Sequence, residues 1–173
     1  MRSVPMYDDT ITLDRLEPTE RAVISAIRRW RDYPETVPCR VLPRTVREQI
    51  AALVAFLWRT DPYAVNVGVI VEQELRLFEV QLLYAISEQL AGKTITTAEI
   101  IAWWFPASEQ SQAREALQAI GDTLRSAGVS IVSADWVRDY FQSMTLRRVR
   151  RRSESSTSTT PPEYAEPVSA MIH

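Results

Sequence analysis

The sequence predicts an all-α or nearly all-α protein, with about six helices in one bundle-like domain. Apolar residues recur at spacings of three and four along most of the chain, which is the periodicity of amphipathic helices. Prolines, glycines and capping patterns divide these stretches into segments of helix length. The 173 residues are 46% hydrophobic and 24% charged, which is typical of a globular protein with a hydrophobic core.

The first predicted helix covers residues 17–31, because proline and acidic side chains favour a helix N-terminus there. Its arginines, Arg28 among them, are expected on the outer faces and near a C-terminal end that favours cations. The spacing places one buried stripe on this helix, made of Val23, Ala26, Ile27 and Trp30.

The second predicted helix covers residues 44–59. Its second half, residues 50–58, is apolar on every side. A helical segment without a polar face is expected either at the centre of the core or against another chain.

The third predicted helix covers residues 69–90, with a stripe that steps from Val71 through Leu75 to Ile86, and it ends at Gly92. Its first residues, 69–71, are alternatively a short strand.

Three further helices are predicted in the C-terminal half. One opens with a capping box at Thr96 and runs to residue 105, and another opens at Ser108 and ends at Gly128. The last covers residues 134–144. Residues 94–96 and 129–132 are candidates for a short two-stranded element.

The chain divides into three parts. Residues 1–16 are predicted to be an irregular arm, residues 17–146 the helical domain, and residues 147–173 a basic patch followed by a tail. The tail is rich in serine, threonine, proline and glutamate, and we expect it to be disordered because it has little apolar surface to bury.

The composition argues against most reactive chemistry. His173 is the only histidine and Cys39 the only cysteine, so we expect no metal site and no histidine-dependent catalysis. The four glycines form no phosphate-binding motif, and we expect no cofactor. The N-terminal residues lack the apolar stretch of a signal peptide and no apolar run is long enough to span a membrane, so we expect a cytoplasmic protein.

These exclusions favour a non-catalytic protein that acts by binding another macromolecule, most often as a regulator or an adaptor. The expected partner is another protein or a second copy of the chain, because the apolar segment and an aromatic cluster carry more apolar surface than one helix face can bury. The candidate interface residues are Phe56, Leu57, Trp58, Trp103, Trp104 and Phe105.

An alternative follows from the order of elements over residues 75–132, which resembles the helix-turn-helix core of winged-helix DNA-binding domains. The resemblance implies a transcription regulator whose recognition helix covers residues 108–127, with arginine and glutamine side chains suited to base edges. The candidate nucleic-acid or acidic-partner contacts are Gln112, Arg114, Gln118, Arg125, Arg147, Arg148, Arg150, Arg151 and Arg152.

A third alternative is an enzyme that uses carboxylates alone. Glu72 and Glu79 are seven residues apart, and on a continuous helix they would share one face. Charged pairs of this kind are usually the solvated side of a helix, so we expect no catalytic site.

Overall fold

The computed structural model describes residues 11–31, 41–131 and Asp139. Five α-helices and one 3₁₀ turn make up the described part, which contains no β-strand, and the prediction of a mostly helical fold is confirmed. Every described residue belongs to a single compact unit.

Short connections join the last three helices, whereas longer ones separate the first three. The 3₁₀ turn comes first, at Leu13–Arg15. The helices are α1 (Pro18–Arg28), α2 (Arg44–Thr60), α3 (Leu77–Leu90), α4 (Thr94–Trp104) and α5 (Gln110–Ser126). Of the predicted helix at residues 134–144 only Asp139 is described, and it is helical. The basic patch, the tail and Cys39 lie outside the described residues.

The core is built around α3, which packs against α1, α4 and α5, while α5 also packs against α2. Within residues 78–88 of α3 only Gln81 is not buried, so this helix has neighbours on all sides. The segment predicted to be apolar on every side, residues 50–58 of α2, has an outward side after all. That side is formed by small residues, with Ala52 exposed and Ala55 half-buried.

Glycine ends α3 and α5 in the same way. Gly92 and Gly128 adopt φ values of +75° and +66°, which L side chains rarely adopt. After α5 the Gly128 N–H donates to the Arg125 carbonyl, and the Val129 N–H donates to the Leu124 carbonyl at 3.0 Å. This pair of bonds is the Schellman motif, and both predicted stop signals are confirmed.

The predicted two-stranded element is wrong. Residues 94–96 form the first turn of α4, which therefore begins before the capping box expected at Thr96. The Val129 N–H closes the end of α5 and is not free to pair with a strand. The start of α5 also differs, because Glu109 rather than Ser108 precedes its first residue.

The predicted start of α3 at residue 69 is also wrong. The helix begins at Leu77, and residues 69–76 form a loop that is neither helix nor strand. Val71 of the predicted stripe is 83% exposed, whereas Phe78, Leu82 and Ile86 are buried as expected. The cause is a set of tertiary hydrogen bonds that the side chains of Arg28 and Glu79 make to the backbone of this loop.

The central position of α3 is testable with Leu83→Ala. The Leu83 side chain is fully buried, so we expect the variant to lose about 2–5 kcal/mol of unfolding free energy. The control is Leu77→Ala at the first position of α3, where the leucine is 39% exposed and the expected loss is below about 1 kcal/mol. Urea denaturation followed by circular dichroism measures both, and equal losses would contradict a central α3.

Candidate functional site

Arg28, the last residue of α1, has a buried side chain that is 2% exposed. The expectation that it lies on an outer face is wrong. It follows Ile24 by one helical turn, and because Ile24 is fully buried the stripe of α1 is wider than the predicted one. This i, i+4 relation is the sequence signal that marks Arg28 as an inward residue.

The Arg28 guanidinium bonds to a carboxylate and to one loop. Its Nε and Nη2 donate to the two carboxylate oxygens of Glu79 at 2.8 and 3.0 Å, which is the bidentate geometry that arginine favours. The remaining N–H groups donate to the backbone carbonyls of Val69, Glu72 and Glu74. All five donors of the side chain are therefore satisfied. We call residues 68–76 the Arg28 loop.

Glu79 is fully buried in the first turn of α3, and its hydrogen-bonding capacity is equally satisfied. Besides Arg28 it accepts the backbone N–H of Gly68 and that of Arg76, both at 2.9 Å. Each carboxylate oxygen thus accepts two hydrogen bonds. A buried ion pair stabilises a fold only when its remaining hydrogen-bonding capacity is met, and here it is met.

Glu72 lies in the Arg28 loop and not on α3, so the expectation that it shares a helix face with Glu79 is wrong. The structure still brings the two together, because both surround Arg28. The Glu72 side chain accepts the Val69 N–H at 3.2 Å and pairs with Arg76. Both of the carboxylates considered for catalysis therefore have structural partners.

Gly68 allows the loop to approach this ion pair. A Cβ atom at this position would lie 2.6 Å from the Glu72 carboxylate and 3.2 Å from Arg28 Nη2. Real Cβ atoms essentially never approach another atom within 3.0 Å, and the Arg28 guanidinium cannot move without breaking its other bonds. Glycine is the residue that fits here without displacing its neighbours.

The other end of the Arg28 loop is fixed by the chain before α1. The Leu13 N–H donates to the Gln73 carbonyl and the Leu75 N–H donates to the Ile11 carbonyl, both at 2.8 Å. These bonds form an isolated antiparallel bridge. Within the adjoining 3₁₀ turn, a hydrogen bond from the Thr12 side chain lowers the pKa of the exposed Asp14 carboxyl.

The Arg28 loop exposes three consecutive β-branched residues, Val69, Ile70 and Val71. They are 66%, 45% and 83% exposed, although side chains of this kind are usually buried. We call residues 69–71 the apolar tip. Because Arg28 holds the carbonyls of Val69 and Glu72, the backbone of the tip is fixed at both ends.

A cleft of about 420 Å³ lies beside the apolar tip. Residues 65–70 line it together with Trp30, Arg31 and Trp58, and the side chain of Arg28 also reaches it. The Arg31 guanidinium carbon lies 4.5 Å from the centroid of the Trp58 ring and 4.9 Å from that of Trp30. Both distances are typical of cation–π contacts.

The structure buries half of the candidate interface residues. Leu57, Trp104 and Phe105 are at most 8% exposed, so they belong to the core and are not accessible to a partner. Phe56 is half-buried and its ring stacks on Phe105 at 4.8 Å between centroids. Trp58 is half-buried against Trp30, and Trp103 is 39% exposed.

The candidate nucleic-acid contacts of the fifth helix are exposed, but they do not form a basic surface. Helix α5 carries two arginines and two acidic residues, and Arg125 is paired with Asp122 at 2.6 Å. The candidates placed here are Gln112, Arg114, Gln118 and Arg125. The other five, Arg147, Arg148, Arg150, Arg151 and Arg152, lie outside the described residues.

The described residues contain no group of three or more histidine, cysteine, aspartate or glutamate side chains placed to hold a metal ion. In the same part of the chain, no helix has the length and apolar character needed to span a membrane. No protein-family model matches the chain, and neither a curated protein nor a solved structure matches it significantly.

The Arg28–Glu79 pair is testable by removing one partner. We expect Arg28→Met to lose about 3–5 kcal/mol of unfolding free energy in urea, because a buried Glu79 carboxylate is left without its cation. The double variant Arg28→Met/Glu79→Met should lose less than the sum of the single variants, since it leaves no buried charge.

The matched control is Arg125→Met, which breaks an exposed ion pair and should cost less than about 1 kcal/mol. Hydrogen exchange gives a second measurement, because the Gly68 amide should lose protection in the Arg28 variant before the helices do. Similar losses in both arginine variants would contradict the assigned role of Arg28.

Proposed function

We propose that this protein is non-catalytic and that it acts as a regulator or an adaptor by binding another protein through the apolar tip. The single observation that carries the proposal is the exposure of Val69, Ile70 and Val71 on a loop whose backbone is fixed. Loops positioned by a rigid scaffold are common sites of recognition. The partner that fits this surface is a protein segment whose apolar side chains cover the tip.

The fixed backbone favours binding because less conformational entropy is lost when the tip is immobilised. Valine and isoleucine add to this effect, since their side chains have few rotamers to lose. A flexible loop of the same composition would have to become ordered upon binding. The bonds from Arg28 to the Val69 and Glu72 carbonyls fix these two residues in the free protein.

The tip also replaces the interface expected from the sequence. Most of the aromatic surface at residues 56–58 and 103–105 is covered by the chain itself, through the Phe56–Phe105 and Trp30–Trp58 contacts. The apolar tip is not covered in this way.

The same site supports the non-catalytic part of the proposal. The four bonds of Glu79 leave its carboxylate no access to a substrate, and the Glu72 carboxylate is engaged by Val69 and Arg76. The single cysteine in the sequence is in keeping with a reducing compartment such as the cytoplasm.

The proposal is testable by selecting ligands and then changing the tip. A random dodecapeptide library displayed on phage is selected on the wild-type protein, and the enriched peptides are synthesised and measured by titration calorimetry. We expect apolar-rich peptides with micromolar dissociation constants. Val71→Ser should weaken their binding by about tenfold, because the peptide no longer covers an apolar side chain.

The matched control is Ile95→Ser, since Ile95 is 77% exposed on α4, away from the tip in sequence, and its replacement should leave binding unchanged. Failure to enrich peptides, or peptides that bind Val71→Ser as tightly as the wild type, would overturn the proposal. Sedimentation of both proteins identifies self-association, because a dimer that Val71→Ser converts to a monomer would make a second copy the partner.

A further inference from the structure

Two arginines line the cleft beside the apolar tip, and they differ in whether their N–H donors are already used. All five donors of Arg28 are used within the protein, by Glu79 and three carbonyls. Arg31 is exposed, and among the described residues it has ring contacts but no ion pair or side-chain hydrogen bond. Among the described residues that line the cleft, none is acidic. The charge that a ligand would meet there is therefore the positive charge of Arg31.

The two tryptophans determine how Arg31 can be used. A guanidinium above an aromatic ring uses the face of its plane for the contact, and its N–H groups point outward along the edge. The Arg31 guanidinium carbon lies over the rings of Trp58 and Trp30, and no described residue uses its N–H groups, so these groups can bind a planar anion with two oxygens. The ring contacts also restrict the side chain before binding, which reduces the entropy lost on binding.

We propose that Arg31 receives an acidic side chain of the same protein partner that covers the apolar tip. The inference rests on the proposed function, and it specifies that the partner segment carries a glutamate or aspartate next to its apolar residues. The carboxylate lies at the edge of the Arg31 guanidinium, and the neighbouring apolar side chains contact Val67, Val69 and Ile70.

The continuity of the surface favours a peptide over a small anion. Val69 and Ile70 line the cleft and are also part of the exposed tip, so a chain that covers the tip continues into the cleft. A volume of about 420 Å³ lies in the range of ligand-binding clefts and suffices for a few side chains. Free phosphate or acetate would contact only Arg31 and would bury no apolar surface against the valines.

The experiment uses the peptides selected on the wild-type protein and measures each with three variants. We expect the selected sequences to be enriched in acidic residues relative to the unselected library. Arg31→Gln should weaken their binding by about fivefold, and Arg31→Lys should restore only part of it because lysine lacks the planar fork. Arg114→Gln, an exposed arginine of α5, is the matched control and should have no effect.

The charge of the peptide gives an independent measurement. Replacing its acidic residue by glutamine should weaken binding to the wild type and leave binding to Arg31→Gln unchanged. Raising the salt concentration should reduce binding to the wild type more than binding to Arg31→Gln. A roughly tenfold excess of phosphate or acetate over the peptide should not displace the peptide, since neither anion contacts the apolar wall.

The outcomes separate the two proposals. Peptides that require Val71 but are not acidic, or whose binding Arg31→Gln changes by less than about twofold, overturn the role of Arg31 and leave the apolar tip in place. Acidic peptides that require Arg31 but not Val71 overturn the proposed function and support the cleft. A selection that yields no peptide overturns both. Displacement by phosphate or acetate identifies a small-anion site and overturns the acidic partner.

Discussion

The buried Arg28 side chain is the interaction on which the other features of the site depend. One guanidinium joins the end of α1, the beginning of α3 and the loop between α2 and α3. Without it, the Glu79 carboxylate would be an uncompensated buried charge, and the carbonyls of the loop would lose their donor. The arrangement tolerates burial because every donor of Arg28 and every oxygen of Glu79 has a partner.

The same bonds explain why residues 69–76 are not helical despite their apolar spacing. In a helix the Glu72 carbonyl would accept the Arg76 N–H, four residues later. Here the Glu72 carbonyl accepts from Arg28, and the Arg76 N–H donates to Glu79 instead. The Val69 carbonyl accepts from Arg28 and from the Glu72 N–H, which closes one turn and no more. Tertiary hydrogen bonds thus take the place of the helical ones, and Val71 is left facing solvent.

What the sequence could predict follows from the range of the interactions involved. The stripe of α1 and the glycines after α3 and α5 depend on neighbours within about one or two helical turns. Val23, Ala26 and Ile27 are buried, and both glycines end their helices, as predicted. The Arg28–Glu79 pair joins residues 51 positions apart, so no local pattern contains it. The predicted strand pair failed because Val129 had a closer partner at the end of α5. The sequence pairs Glu72 with Glu79 through a helix face that does not exist, whereas in the structure a shared arginine brings them together.

The polar groups at this site and the apolar tip are two parts of one arrangement. Exposed valine and isoleucine side chains do not hold a loop in place, because side chains that remain in water bury no apolar surface. A loop that displays them must be held through its backbone, and Arg28, Glu79 and the bridge to Ile11 and Leu13 hold it in this way.

The charged groups that most suggest catalysis are therefore used to stabilise the fold. What the Arg28 loop and its cleft present outward is the apolar tip and, beside it, the guanidinium of Arg31 on its two tryptophans. An apolar projection that is held through its backbone beside one cation is suited to a ligand that matches it in both shape and charge.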